Sequence, residues 1–348
     1  MSIDLKDVTK RFGSETAVDT LSASVAQGSF FVVLGPSGCG KSTLLRLIAG
    51  LETLDAGEIA LDGEAIAGPG RHLSPEDRQV GVVFQSYALW PHMSVLKNVA
   101  FPIESAGSGR RSARSEAAVH LKTVELTPYA ERRPAELSGG QRQRVALARC
   151  LASGARIVLM DEPLANLDPH LRDSMETELR LFHQRSGATT LYITHDQREA
   201  MALADTIAVM RDGRFEQIAT PHDVYARPNS AFVADFVGTG GVLEADCLST
   251  DGGRAAIRIA GTKIDVACSQ STGTGKASVL IRPEWIRIAD DGIAGKVETV
   301  SYRGGVWECR VGLNGADAPL IVRASRPVQV GETLSLRITD GWLLPDTH

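Results

Sequence analysis

Residues 30–49 leave the chain few folds to choose from. Phe30-Phe31-Val32-Val33-Leu34 is apolar without alternation, the pattern of a parallel strand buried on both faces. Gly35-Pro36-Ser37-Gly38-Cys39-Gly40-Lys41-Ser42-Thr43 follows, of the form G-x-x-x-x-G-K-[ST]. Leu44-Leu45-Arg46-Leu47-Ile48-Ala49 then continues as a helix. Strand, glycine-rich turn and helix in that order aim backbone N–H groups and a helix N-terminus at one point, a cradle for phosphate oxygens. The glycines let the backbone approach closely. Lys41 reaches the β- and γ-phosphates of a nucleotide, and Ser42 offers a hydroxyl to Mg²⁺. A glycine-rich turn matching by chance is the competing reading, and the flanking strand and helix weigh against it.

At 348 residues the chain has room for two domains. An apolar fraction of 43% and a charged fraction of 23% are those of a soluble globular protein. The net charge of −5 gives no basic field for nucleic acid. No apolar run reaches the roughly 20 residues of a membrane helix. Met1-Ser2-Ile3-Asp4-Leu5-Lys6 has no signal-peptide apolar region, so any membrane association is expected to come through a partner. Cys39, Cys150, Cys247, Cys268 and Cys309 are scattered, odd in number and without a C-x-x-C pair. That argues against a disulfide framework and a zinc site, and suits a reducing compartment. Cys39, at a helix N-terminus near Lys41, is expected to favour the thiolate.

Apolar strand candidates at 30–34, 80–84, 157–160, 189–193 and 207–210 alternate with amphipathic helices, such as His170–Arg185 with Leu171, Met175, Leu179 and Phe182 at helical spacing. This predicts an α/β domain with a mainly parallel sheet. Glu104–Arg133 is charged, Ala-rich and helical in pattern, an insertion between two sheet strands. Near Ala226–Gly241 the character changes. Short alternating segments follow at 255–259, 263–267, 277–281, 306–311, 320–323 and 333–338, which predict a small all-β barrel or sandwich.

Further motifs lie on this framework. Asp161 and Glu162 end the apolar run Ile157-Val158-Leu159-Met160, at the usual ligand edge of an α/β sheet. Gln85 follows Val80-Gly81-Val82-Val83-Phe84, and His195 follows Thr190-Leu191-Tyr192-Ile193-Thr194. Leu137-Ser138-Gly139-Gly140-Gln141 opens a helix whose first amides suit an anion. With these motifs in this order, nearly the whole chain resembles the ABC-transporter ATPases, in the importer branch of maltose, polyamine, ferric-iron and sulfate type.

That resemblance implies a P-loop NTPase core with a helical insertion, followed by an OB-fold-like regulatory β domain. The ATPase domain is expected over 1–237, with a helical subdomain at about 87–150, and the regulatory domain over 238–348. ATP and Mg²⁺ are the implied cofactors. Phe12 stacks on adenine, and residues 35–43 hold the phosphates. Ser42, Gln85 and Asp161 serve Mg²⁺. Glu162 is the general base, with His195 contacting the γ-phosphate and Gln85 sensing the attacking water. Residues 137–141 form the signature that closes over nucleotide held by the partner copy. Asp168, in Ala165-Asn166-Leu167-Asp168, belongs to the D-loop that crosses the dimer interface. Ile281-Arg282-Pro283-Glu284 matches an Arg-Pro-Glu element of the importer regulatory domain.

The function so implied is the energy-coupling ATPase of a binding-protein-dependent importer, working as a homodimer with two integral-membrane permease subunits. An extracytoplasmic solute-binding protein is an indirect partner, and no nucleic acid is expected. The location implied is peripheral, on the cytoplasmic face of the bacterial inner membrane. General resemblance in the C-terminal third favours an iron, polyamine or phosphonate solute over a sugar. An exporter ATPase would usually lack the C-terminal β domain. A DNA-repair ATPase would carry a long heptad insertion, and a translation-type protein two cassettes.

Overall fold

The computed structural model describes residues 1–165, 167, 169–269 and 273–345. The chain divides into a first unit, Met1–Pro221, and a second beginning at His222. The first unit contains, in order, β1 (Ile3–Phe12), β2 (Glu15–Val25), β3 (Phe30–Leu34), α1 (Lys41–Ala49), β4 (Ala56–Leu61), β5 (Glu64–Gly68), β6 (Arg71–His72), β7 (Val80–Val83), α2 (Val95–Ser105), α3 (Arg110–Thr123), α4 (Gly139–Ala152), β8 (Ile157–Asp161), α5 (Pro169–Ser186), β9 (Thr189–Thr194), α6 (Gln197–Leu203), β10 (Thr206–Arg211) and β11 (Arg214–Ala219).

The apolar runs form a six-stranded sheet of order β11-β10-β3-β9-β8-β7, parallel except for β11. Every residue of β3 and β9 is buried, which is why neither alternates in sequence. A second, antiparallel sheet of order β2-β1-β4-β5-β6 was not expected from the sequence. Its strands carry charged residues, and β1 changes register against β2 at three places, which breaks the alternation.

Helix α1 belongs to one core cluster with strands of both sheets. Leu44, Leu45, Leu47 and Ile48 are fully buried, each stabilising the fold by about 2 kcal/mol of transfer free energy. The C-terminus of α1 is closed by a buried guanidinium. Arg78 donates to the carbonyls of Leu47 at 2.7 Å, Ile48 at 2.9 Å and Leu73 at 2.8 Å. A cation of favourable sign thereby supplies donors to carbonyls at the helix end, adding to the Gly50 N–H on Leu47. Helices α2, α3 and α4 pack round their own core of Val95, Val99, Ala117, Leu121, Val145 and Ala148. No helix among the described residues is long and apolar enough to cross a membrane.

Helix α7 (Pro221–Ala226) begins at the last residue of the first unit and runs into the second, where α8 (Ala231–Phe236) follows. The second unit continues through β12 (Gly241–Asp251), β13 (Arg254–Ile259), β14 (Thr262–Cys268), β15 (Gly275–Ile281), β16 (Ile286–Tyr302), β17 (Trp307–Leu313), β18 (Leu320–Ala324), β19 (Thr333–Ile338) and β20 (Trp342–Leu343). Five strands close into a barrel, β12-β13-β14-β20-β15, and four form the sheet β18-β17-β16-β19. A closed five-stranded barrel is the architecture of an OB-like domain.

The division falls before the boundary expected at 237/238, and Arg282 gives the reason. Its side chain is fully buried, and its guanidinium makes four hydrogen bonds to the carbonyls of Tyr225, Ala234 and Thr239, at 2.8–3.3 Å. The Tyr225 ring lies 4.2 Å from the guanidinium carbon, and its hydroxyl donates to Glu284 at 2.7 Å. The Arg-Pro-Glu element thus fastens α7 and α8 to the barrel.

Replacing Arg282 with Met should strand those carbonyls and destabilise the second unit by roughly 3 kcal/mol. Trp285, Trp307 and Trp342 all lie in that unit, so tryptophan fluorescence in urea should report a lowered midpoint. An unchanged midpoint would remove this role from Arg282.

Candidate functional site

Neighbouring parallel strands end on the same edge of a sheet, and here β3, β9, β8 and β7 are neighbours. The chain leaves β3 into Gly35, β8 into Glu162, β9 into His195 and β7 towards Gln85. Residues far apart in sequence are brought to one edge because their strands are paired in register, Leu34 with Thr194 and Asp161 with Ile193.

A cleft of ≈ 340 Å³ opens at this edge. It is lined by Phe12, Glu15, Ala17, Ser37, Gly38, Gly40, Lys41, Ser42, Thr43 and Glu162. Gly40 has φ 106°, and a Cβ there would stand 2.1 Å from the Ala17 carbonyl oxygen, so only glycine fits. Lys41 is buried and donates from Nζ to the carbonyls of Gly35 and Pro36, both at 2.8 Å, which curls the loop round the ammonium. Ser42 Oγ donates to Asp161 Oδ1 at 3.2 Å. Burial pushes the Asp161 carboxyl above the usual range, and the Ser42 hydrogen bond opposes that. Phe12 is 50% exposed, with the Lys10 ammonium 5.1 Å from its ring centroid.

Cys39 departs from expectation. It is buried, 5% exposed, and burial pushes its thiol up, against a smaller lowering by Lys41. Position at a helix N-terminus favours a thiolate only where water or a cation can solvate it. Here the Lys41 ammonium is turned to carbonyls at 2.8 Å and stands 3.9 Å from Sγ. All five cysteines are buried.

Glu162 and His195 meet across the strand ends, with His195 Nδ1 3.0 Å from Glu162 Oε2. The Glu162 backbone has φ 43° and its N–H donates to the Ile193 carbonyl at 3.1 Å. Its carboxylate is thereby turned into the cleft. Gln85 lies exposed in the turn after β7 and does not line the cleft. Asp168 and Asn166 lie outside the described residues. Thr194, Asp196, Glu199 and Arg172 surround the His195 backbone and were not singled out from the sequence. The spacing Asp196-Gln197-Arg198-Glu199, an acid at a helix start and Glu three residues on, was the available signal.

None of residues 137–141 lines the cleft. Ser138 caps α4: its Oγ accepts from the Gln141 N–H at 3.3 Å, and Gln141 Oε1 accepts from the Ser138 N–H at 3.0 Å. Leu137 and Gly140 are buried beneath this capping box.

The segment after Gln85 is held from both sides. Arg149 donates to the carbonyls of Ala88 at 2.7 Å and Tyr87 at 3.1 Å. The buried Asn98 side chain accepts from Trp90 N–H at 2.9 Å and donates to the Trp90, Met93 and Ser94 carbonyls. Tyr87 is buried and Leu89 packs on the helical core. Trp90 sits against Phe101, centroids 4.4 Å apart. Met93 and Phe101 line a groove of ≈ 260 Å³ with Lys97, Glu104, Arg110 and Arg114.

Residues 18–165 match the ABC transporter family model, and residues 279–344 match that of the TOBE domain. The chain is 46% identical over 308 residues to a spermidine/putrescine import ATP-binding protein of Pseudomonas aeruginosa, covering 88% of this chain and 84% of the relative. It is 44% identical over 312 residues to an Fe(3+) ions import ATP-binding protein of Rhizobium etli, covering 89% and 87%. Among solved structures it resembles a dimeric ATP-binding cassette in a post-hydrolysis state bound to ADP and Pi. The TM-score is 0.55 and the identity 31%, over 63% of this chain and 98% of that one.

Because Cys39 is buried with a raised pKa, maleimide at pH 7 should label it far more slowly than an exposed thiol, with nucleotide or without. Labelling should quicken only as the pH climbs past the usual thiol range, where thiolate finally forms. Mass spectrometry of the Cys39 peptide checks both, and fast labelling at pH 7 would contradict the buried placement.

Proposed function

The chain belongs to the ABC-transporter family as an ATP-binding subunit of the importer branch, and from that premise we propose how its residues share the work. It is an ATPase coupled to import. ATP lies in the cleft, with Phe12 against the adenine face and the loop amides of residues 35–43 on the phosphates. Lys41 exchanges loop carbonyls for phosphate oxygens. Glu162 accepts a proton from the attacking water. Donation from His195 Nδ1 to the Glu162 carboxylate orients the imidazole beside the γ-phosphate.

Mg²⁺ fits the donors at this edge. Ser42 and Asp161 offer two hard oxygens in mutual contact, and burial disfavours the Asp161 charge unless a cation accompanies it. These two residues would hold the ion, with Gln85 coming in from β7; bound, it would neutralise phosphate charge.

The observation that carries this reading is the partition of groups. Lys41, Ser42 and Glu162 line one cleft, while the capped helix start at Ser138 lines none of it. A homodimer would bring that helix start from a second copy onto the γ-phosphate, where its amides suit an anion. Hydrolysis then depends on closure, and closure can drive the membrane subunits. The dimeric cassette among the similar structures supports this arrangement. The partners proposed are two integral-membrane permease subunits, with a solute-binding protein acting through them, at the cytoplasmic face of the bacterial inner membrane. The solute proposed is cationic, a polyamine or ferric iron, as the names of the two relatives suggest. Uptake of each by a deletion strain decides between them.

Glu162→Gln should retain ATP binding, lose turnover by roughly 10²-fold or more, and accumulate as a nucleotide-bound dimer on size exclusion. Lys41→Ala should instead weaken nucleotide binding. Turnover equal to the parent's in Glu162→Gln would defeat the assignment.

The groove beside Met93 and Phe101 is the proposed seat of a permease's amphipathic cytoplasmic helix. Cysteines placed singly at positions 89–93 should crosslink to the permease subunits in the assembled complex. An active complex that never crosslinks there places the docking surface elsewhere.

A further inference from the structure

The His195 side chain is 53% exposed and meets only the Glu162 carboxylate among the hydrogen-bonding partners described. Packing therefore does little to aim it, and its direction depends on the backbone either side. That backbone is tied into a ring of bonds. Thr194 Oγ1 accepts from the Asp196 N–H at 2.9 Å and donates to Glu199 Oε2 at 2.8 Å. The Tyr192 hydroxyl donates to the same carboxylate oxygen at 2.7 Å. Asp196 Oδ1 accepts from the Arg198 N–H at 2.8 Å, which starts α6. Its Oδ2 accepts from Arg172 Nη1 at 2.9 Å, and Arg172 Nε stands 3.8 Å from Glu199 Oε1.

Glu199 is the hub of this ring and is 2% exposed. Burying a carboxylate is costly and a cation at that distance offsets it only in part, so an apolar residue would serve packing of α6 at least as well. The sequence pattern suggests a capping box, in which Glu199 would reach back to the Asp196 N–H. In the structure Thr194 takes that N–H, and Glu199 holds Thr194 instead. Both neighbours of His195 are thus restrained from below, by groups that do not line the cleft.

We propose that Glu199 is a positioning residue for hydrolysis: it clamps Thr194 and, with Arg172, Asp196, so that the imidazole between them stays beside Glu162. This rests on the reading of Glu162 and His195 as the hydrolytic pair.

The test is single-turnover ATP hydrolysis by the full-length chain, with nucleotide affinity measured separately. Glu199→Ala should slow hydrolysis roughly 10- to 100-fold, the cost of a small misplacement, with affinity held within about threefold. Glu199→Gln keeps an oxygen for Tyr192 and Thr194 and should recover most of the rate. Thr194→Val, which severs the link without removing the carboxylate, should resemble Glu199→Ala and stands in for it if that variant does not fold. In a His195→Ala background Glu199→Ala should cost nothing further, because the group it aims is gone. The proposal is overturned alone if His195→Ala is slow while the Glu199 variants match the parent. It is overturned equally by losses that multiply in the double variant, or by a fall in affinity at unchanged rate. A His195→Ala variant as fast as the parent removes the premise and the proposal together.

Discussion

The Lys41 ammonium, buried and donating to the carbonyls of Gly35 and Pro36, holds the loop in a tight conformation that its glycines make possible. A cation of this kind is costly to bury unless every donor finds a partner. The loop is therefore a closed unit, with its shape set before any phosphate arrives. Its position is set by α1, whose apolar side chains share one core with strands of two sheets. Local backbone chemistry gives the cradle its form, and the core gives it its address.

The remaining chemistry is placed by strand pairing. Glu162, His195 and Gln85 come from three different strands, and each is the first or second residue past a strand end. No side chain has to reach far. A slip of one residue in β8 or β9 would instead turn Asp161 or Thr194 to the opposite face. Both strands are buried along their apolar length, as expected of central parallel strands covered on two faces.

What the sequence made legible follows the same division. The parallel strands were readable because continuous apolar runs have few other uses. The phosphate loop was readable because its glycines and lysine answer a geometric need. The antiparallel sheet of β1 and β2 was not, because Asp4, Lys6, Asp7 and Lys10 interrupt the pattern and register shifts move residues between faces. The strand β16, seventeen residues with a bulge between Ile288 and Ile293, was hidden by Asp290 and Asp291. The thiol state of Cys39 is not legible, because spacing reveals proximity to a helix end and a lysine but not what that lysine is bonded to. Arg282 was noticed as a motif, yet its work as a fastener of α7 and α8 needs three carbonyls that no pattern announces. Glu199 is illegible for a related reason: a carboxylate at N3 of a short helix has the pattern of a cap, while its partners are Tyr192 and Thr194.

The Arg78 guanidinium that closes the far end of α1 also limits how the chain can vary. A Cβ on Gly50, which follows that helix with φ 79°, would stand 2.5 Å from Arg78 Nε. Any larger residue at position 50 must displace the guanidinium, and any shorter residue at position 78 uncaps Leu47 and Ile48. Two positions 28 apart in sequence (50 and 78) are therefore coupled through a single point of close approach. A side chain at position 50 would meet both an unfavourable backbone angle and the guanidinium, and loss of the guanidinium would take the donor from the Ile48 carbonyl.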